Sequence, residues 1–214
     1  MKLFYGSTKL IRKPIYGVGN PTNDYGLGFY LTDDLQMAKL WASQYKDGGY
    51  AITYRINFSN LNVLNIDKED EMTILSWITL LVKNRFDYTE RIIYRDVIQW
   101  LIKHFDVPVN QYDVVVGYRA DDSYFNYSRG FVSGEISLET LSQALKLGKL
   151  GLQYVLISKK AFSSIEYIDS EPVQFSHDYD LFRRKTLSEY HELLTTENRF
   201  KNTFIGDLMK KYGE

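Results

Sequence analysis

Hydrophobic and polar positions alternate along this chain in short runs separated by turn-forming residues. Residues 2–5 and 28–32 read as short strands, and AITYRINF (51–58) and LNVLNI (61–66) repeat the two-residue period. DVVVG (113–117), GLQYVLIS (151–158) and SIEYID (164–169) complete the strand-like set. Between the first two runs, IRKPIYGVGNPTNDYG (11–26) carries Gly, Pro, Asn and Asp at turn density and reads as a loop. Thr32 reads as an N-cap ahead of Asp33 and Asp34, with Leu35, Ala38 and Trp41 at helical spacing until Gly48-Gly49. Two more helices are predicted over about 69–83 and 88–104, the first behind the acidic start Asp67 to Glu71. Ser137 caps another, with Leu138, Leu141 and Leu145 on one face and Gly148 as its stop. The tract Arg119–Gly134 is rich in Gly, Ser, Asn and Asp and is predicted to be irregular. From about Ser176 the chain reads as a helical tail, weakly basic in that residues 183–214 hold seven Lys/Arg and five Asp/Glu.

The pattern is that of an α+β chain with no βαβ series. Four prolines (Pro14, Pro21, Pro108, Pro172) are spread from end to end without a linker-like tract, so 214 residues are expected to fold as one domain. At 44% hydrophobic and 15% aromatic content the chain can build a real core, which excludes disorder as its main state. The balance of 26 Lys+Arg against 27 Asp+Glu argues against a broad phosphate-binding face. With no apolar run near the ~20 residues of a membrane span and no signal-peptide h-region, a cytoplasmic location away from membranes is expected. Zero cysteines exclude disulfides and thiol nucleophiles, and His104, His177 and His191 show no metal-ligand spacing, so no metal is expected. The 18 tyrosines are the compositional excess, to be explained as packing or as a ring-lined ligand site.

Familiar catalytic motifs fail. Gly148-Lys149 lacks the glycine, separated from it by four residues, that a Walker loop needs. Gly17-Val18-Gly19 and Gly26-Leu27-Gly28 lack the third glycine and the helix start of a dinucleotide fingerprint. In Gly130-Phe131-Val132-Ser133-Gly134 the serine stands one place too late for a nucleophile elbow.

Three separated pieces share one design: a short apolar strand with a polar or aromatic side chain where it meets a glycine-containing turn. They are Phe4-Tyr5-Gly6-Ser7, Gly26-Leu27-Gly28-Phe29-Tyr30-Leu31-Thr32 and Leu152-Gln153-Tyr154-Val155-Leu156-Ile157. Together they resemble the ADP-ribosyltransferase superfamily, whose diphtheria-toxin-like and poly(ADP-ribose)-polymerase-like branch grips NAD with a His-Tyr-Glu triad. Over residues 1–170 the chain is more closely similar to a bacterial family of uncharacterised proteins with that fold. The shared blocks are Tyr5-Gly6-Ser7, Asp24-Tyr25-Gly26-Leu27-Gly28-Phe29-Tyr30-Leu31-Thr32 with Ala38-Lys39-Leu40-Trp41-Ala42, Ala120-Asp121-Asp122, and Gln153-Tyr154-Val155. The resemblance implies a split antiparallel sheet with flanking helices over residues 1–175 and a helical C-terminal extension over 176–214.

It also implies site roles. Tyr5 stands where the class has the histidine that bonds NAD ribose, and a phenol can make that bond although it cannot charge at neutral pH; its alternative is a core side chain. Gly6, lacking a Cβ, lets a carboxamide approach its backbone N–H and C=O. Tyr30 matches the aromatic that stacks on nicotinamide, with Gly28 beside it and Phe29 and Leu31 on the opposite face. Ser7, Thr32 and Arg12 join these as cofactor-binding candidates, Arg12 and Lys13 from the loop after the first strand. Gln153 stands at the catalytic glutamate of the class: it keeps a grip on the ribose and loses the charge. Asp121 and Asp122 could supply that charge or act as a general base, or could simply cap a turn, and Arg119 is either a pyrophosphate contact or a solvated arginine.

The expectation is an NAD-dependent mono-ADP-ribosyltransferase acting on an acceptor macromolecule, with NAD as co-substrate. By resemblance it is toxin-like or anti-phage and has a small antitoxin partner. The alternatives are a noncatalytic module that binds NAD or ADP-ribose, and an interaction protein using the aromatic surface.

Overall fold

The computed structural model describes residues 1–119, 122–147 and 151–213, the side chains of 122–125 excepted. The chain is α+β. Its seven strands are β1 (Lys2–Ser7), β2 (Phe29–Thr32), β3 (Gly49–Ile56), β4 (Val63–Ile66), β5 (Val114–Tyr118), β6 (Leu152–Leu156) and β7 (Ile165–Val173). They form one sheet in the order β4-β5-β6-β2-β1-β3-β7. Nine α-helices are described: α1 (Leu35–Ser43), α2 (Glu71–Arg85), α3 (Tyr88–Ile93), α4 (Arg95–Phe105), α5 (Asp122–Val132), α6 (Leu138–Ala144), α7 (Lys159–Ser163), α8 (Asp178–Leu194) and α9 (Ile205–Tyr212).

The sheet is mixed, which corrects the expectation of an antiparallel one. β4 and β5 run parallel, from Val63 opposite Val114 to Ile66 opposite Gly117, because the connection between them is a long crossover through α2, α3 and α4. All other pairings are antiparallel. β1 pairs with β3 over six positions, yet with β2 it shares a single register pair, Phe4 with Thr32. The sheet is therefore barely joined at its middle.

Alternation sends the two sets of side chains to opposite faces. Leu3, Phe29, Leu31, Ile52, Tyr54, Val114, Val116 and Leu156 pack on one face, covered by α7 and the loop after β1. Val115 and Val155 face the larger core built by α2, α4, α5, α6, α8 and α9, with Tyr30 packed against it. The tail belongs to that core: Tyr190, Ile205 and Leu208 are buried in it, and Trp100 Nε1 donates to Gly213 O at 2.7 Å.

Three local expectations are corrected. Thr32 is not the N-cap of α1; it ends β2, and Asp34 accepts from Gln36 N and Met37 N at 2.7 and 3.3 Å. The helix predicted over 88–104 is two helices that meet at Tyr94 (φ −105°, ψ 23°), the first opened by a capping box between Asp87 and Glu90. The tract 119–134 is not irregular throughout, since it contains α5. Tyr127, Phe131 and Val132 are buried at helical spacing, and Tyr127 stacks on Tyr190 with centroids 3.9 Å apart. Burying that stripe outweighs the poor helix propensity of Ser, Asn and Gly.

Candidate functional site

The parting between β1 and β2 organises the site. Met1 N donates to Ile56 O at 2.9 Å and Ile56 N donates to Met1 O at 3.0 Å, a reciprocal pair that fixes the phase of the β1–β3 ladder. Bonded pairs in an antiparallel ladder recur every second residue, so Leu3, Tyr5 and Ser7 direct their backbone groups at β3. Phe4 and Gly6 direct theirs at β2. Phe4 meets Thr32 there, and the same register continued would set Gly6 against Tyr30, where the ladder has already ended. The Gly6 N–H and C=O thus face a gap whose other side is Tyr30. A side chain at Gly6 would have no room, because an added Cβ would lie 2.2 Å from Ala38 O and 2.9 Å from Trp41 Cβ of α1.

One strand beyond β2, Gln153 pairs with Thr32 on one side and Gly117 on the other. Tyr30, Thr32 and Gln153 lie at alternating positions on the face that α1 and α2 cover. Gln153 is 4% exposed and donates from Nε2 to Asp24 Oδ2 at 3.1 Å. Its Oε1 is buried and meets no donor among the described residues.

Asp24 is the carboxylate of this site. It is 5% exposed, its Oδ1 pairs with Arg85 at 2.8 Å, and its backbone carbonyl accepts from Asn84 Nδ2 at 2.9 Å. A turn closed by Gly26 N donating to Asn23 O at 2.9 Å folds the loop over the sheet, and Gly26 takes φ +81°, which favours glycine. The Tyr30 hydroxyl clamps the same loop, donating to Gly26 O at 2.6 Å and accepting from Tyr25 N at 3.1 Å. The Tyr25 hydroxyl reaches over Gly117 to donate to Tyr118 O. Burial, and then the Asp24 charge, push both phenols above the ordinary tyrosine range. Both are neutral donors at physiological pH.

On the other side of the parting, a cavity of about 480 Å³ opens between the sheet and the loop after β1. Tyr5, Gly28, Phe29 and Tyr30 form its floor, and Lys13, Ile15, Val18, Asn20 and Asn23 contribute from the loop. Tyr30 is one of the lining residues of the cavity, and its hydroxyl is engaged by the Asp24 loop.

The predicted residues do not all gather here. Tyr5 lies on the opposite sheet face from Gln153, its ring 4.7 Å from that of Phe29, and burial raises its phenol above the ordinary range, with Tyr45 adding to the shift and Ser7 opposing it. Gly28 has a packing reason to be glycine: an added Cβ would lie 2.6 Å from Val155 Cγ1 and 2.9 Å from Leu156 O. The Thr32 hydroxyl accepts from Asp34 N at 3.2 Å and the Ser7 hydroxyl from Lys9 N at 3.2 Å. Arg12 stands 5.7 Å from the ring centroid of Tyr167, on β7 at the sheet edge, so Lys13 and not Arg12 lines the cavity. Arg119 lies flat against Trp41, its guanidinium carbon 3.4 Å from the ring centroid. Asp121 falls outside the described residues; Asp122 is the first residue of α5, and its side chain also falls outside them.

Asp24, Arg85 and Asn84 were not among the candidates. Asp24 sat in a quoted block, but an aspartate in a turn-dense loop has an ordinary local role as a turn former. Arg85 sits in the last turn of α2, where a basic residue suits the helix dipole. Their pairing spans 61 positions of sequence. Among the described residues no group of His, Asp and Glu could hold a metal, and no helix is long and apolar enough to cross a membrane.

A sheet parted at one strand pair, with a glycine edge and a buried amide–carboxylate pair near the parting, marks the candidate site of this α+β domain. The chain belongs to the family described as Protein of unknown function (DUF3990), whose model matches residues 1–167. That match spans β1 to β6 and the first three residues of β7, and stops before the two tail helices. No curated protein and no solved structure matches the chain.

Proposed function

We propose that this protein is an NAD-dependent mono-ADP-ribosyltransferase of the split-sheet kind, with NAD as co-substrate bound at the β1–β2 parting. The observation that carries the reading is the meeting of three features there. The backbone edge of Gly6 faces Tyr30 across a gap, and on the same sheet face Gln153 holds a buried acceptor that no described donor satisfies. A planar carboxamide suits the Gly6 N–H and C=O, and the Tyr30 ring suits a cationic pyridinium stacked on its face. Gln153 is then one strand away, opposite Thr32, and is offered to the neighbouring ribose.

Cleavage of the bond between ribose C1′ and the nicotinamide nitrogen sends its electron pair to that nitrogen and leaves neutral nicotinamide. Positive charge develops on the ribosyl centre, and the acceptor oxygen or nitrogen forms the new bond to C1′ and releases its proton. A fixed negative charge near C1′ favours this step, and one such contact is worth roughly 2 to 4 kcal/mol. Among the described residues Asp24 is the buried carboxylate on this face, and in this reading it supplies the negative charge for which Asp121 and Asp122 are the other candidates. Acceptor choice falls to the protein surface around the parting; by resemblance a small neutralising partner protein would cover it.

The test is purified protein with NAD labelled separately in nicotinamide and in adenine. Release of nicotinamide, with adenine label passing to water, to the protein itself or to an added lysate, is the expected result. One observation favours a second reading: Arg85 neutralises Asp24 at 2.8 Å, as suits a module that binds NAD without cleaving it. That module would be protected by NAD against heat and would release no nicotinamide.

A further inference from the structure

We infer that Asp24 is a positioning residue that fixes the side-chain amide of Gln153 with Oε1 facing the ligand, so that the ribose 2′-hydroxyl of NAD donates to Oε1; this rests on the reading above. A primary amide has a donor end and an acceptor end of the same shape, and a carboxylate only accepts. With Asp24 Oδ2 3.1 Å from Nε2, the amide has one stable orientation. Turning it over would set Oε1 against Oδ2, two acceptors at contact distance in a nearly dry setting. The carboxylate cannot swing to follow, because Arg85 holds Oδ1 at 2.8 Å and Asn84 holds the Asp24 backbone carbonyl at 2.9 Å.

The orientation leaves a buried acceptor without a donor among the described residues. Buried acceptors in native proteins are normally satisfied, so this one marks a place for a donor brought by a ligand. A sugar hydroxyl supplies a neutral donor, which suits an amide oxygen polarised by the carboxylate behind it. Gln153 thus offers the acceptor that the glutamate of the class offers, with the negative charge one hydrogen bond farther back. On departure of nicotinamide the electron pair of the C1′–N bond goes to the ring nitrogen, and with water as acceptor the water oxygen bonds to C1′ and its proton leaves to solvent.

This arrangement predicts that donor and acceptor can be exchanged but not duplicated. Q153E sets two carboxylates about 3.1 Å apart, which must share a proton. Among the described residues, the other ionisable groups around the pair are Arg85 of α2 and the phenols of Tyr25 and Tyr30, with Arg119 after β5 acting on Tyr25. All four hold their charge state between pH 5.5 and 8.5, since a guanidinium does not deprotonate in proteins and the phenols are pushed upward by burial. Q153E should therefore lose turnover at pH 8 by about a hundredfold and regain part of it as pH falls, while its melting temperature rises. D24N frees the amide to turn and should lower kcat by about tenfold or more, with a smaller change in KM. D24N/Q153E restores one donor and one acceptor, and should recover turnover to within about threefold of wild type.

Nicotinamide release and melting temperature are read for all four proteins from pH 5.5 to 8.5. A wild type that turns over NAD while Q153E is flat with pH, or while the double variant is no better than the worse single one, overturns the orientation alone. A wild type that neither binds nor cleaves NAD overturns the parent reading and this inference together. Q153E keeps the Asp24–Arg85 pair, so its pH profile decides the matter even if D24N does not fold.

Discussion

Tyr30 is given two functions, a ring offered to the nicotinamide and a hydroxyl that clamps the Asp24 loop, and the two can be separated by substitution. Tyr30→Phe removes the bonds to Gly26 O (2.6 Å) and from Tyr25 N (3.1 Å) and keeps the ring. Each backbone group left unsatisfied in a partly buried place costs about 1 kcal/mol, so the loss should be roughly 2 kcal/mol. For a chain of this size that corresponds to a fall of about 4–8 °C in Tm. Tyr30→Ala removes the ring as well, and the cavity it leaves brings the total to about 4 kcal/mol or more. Binding separates the variants differently. A ring stacked on a desolvated cation contributes about 2 kcal/mol, so Tyr30→Ala should weaken NAD about thirtyfold, whereas Tyr30→Phe should weaken it less than tenfold. Calorimetric melting and NAD titration of the three proteins read both effects. A Tyr30→Phe protein as stable as wild type refutes the clamp; equal loss of NAD affinity in the two variants refutes the stacking.

Alkaline unfolding should be steep. Tyr25, Tyr30 and Tyr54 all have folded-state pKa values raised above 10.0, chiefly by burial, so the unfolded chain loses their protons first. Stability should hold below pH 10 and fall above it by about 1.4 kcal/mol per pH unit for each tyrosine, or roughly 4 for the three; urea unfolding between pH 8 and 11.5 would contradict this by showing no slope. Gly6→Ala forces a Cβ to within 2.2 Å of the Ala38 carbonyl and should destabilise by about 2 kcal/mol or more, read as a lower urea midpoint; an unchanged midpoint would mean that α1 does not bear on β1. Leu208, 0% exposed, lies beyond the family-matched region, and Leu208→Ala should cost about 2–5 kcal/mol against less than about 0.5 for Leu181→Ala at 60% exposure. Similar melting of those two variants would make the tail an appendage and not part of the core.

The sequence by itself determined most of the elements. The two-residue period located the strands, and it assigned Phe29 and Leu31 to one face and Tyr30 to the other, as the packing of β2 between the two hydrophobic clusters requires. It also located α1, α2 and α6 and the helical tail, because an apolar stripe at a fixed period is a property of a few consecutive residues. Elements with weak local signals were decided by packing. α5 forms in a tract of Ser, Asn and Gly because Tyr127 and Phe131 find Tyr190, which lies on α8. The parallel direction of β4 against β5 was likewise set by the crossover helices and not by either strand's own residues. Gln153, Tyr30 and Gly6 were legible as a strand-end pattern, but Asp24 was not legible as their carboxylate. An aspartate in a turn and an arginine at a helix C-terminus each have a sufficient local explanation, so neither points to the other. Only the fold, which brings Arg85 to 2.8 Å and Gln153 to 3.1 Å from the two oxygens of the Asp24 carboxylate, makes the pair unavoidable: a carboxylate taken out of water needs a partner there or is not buried at all.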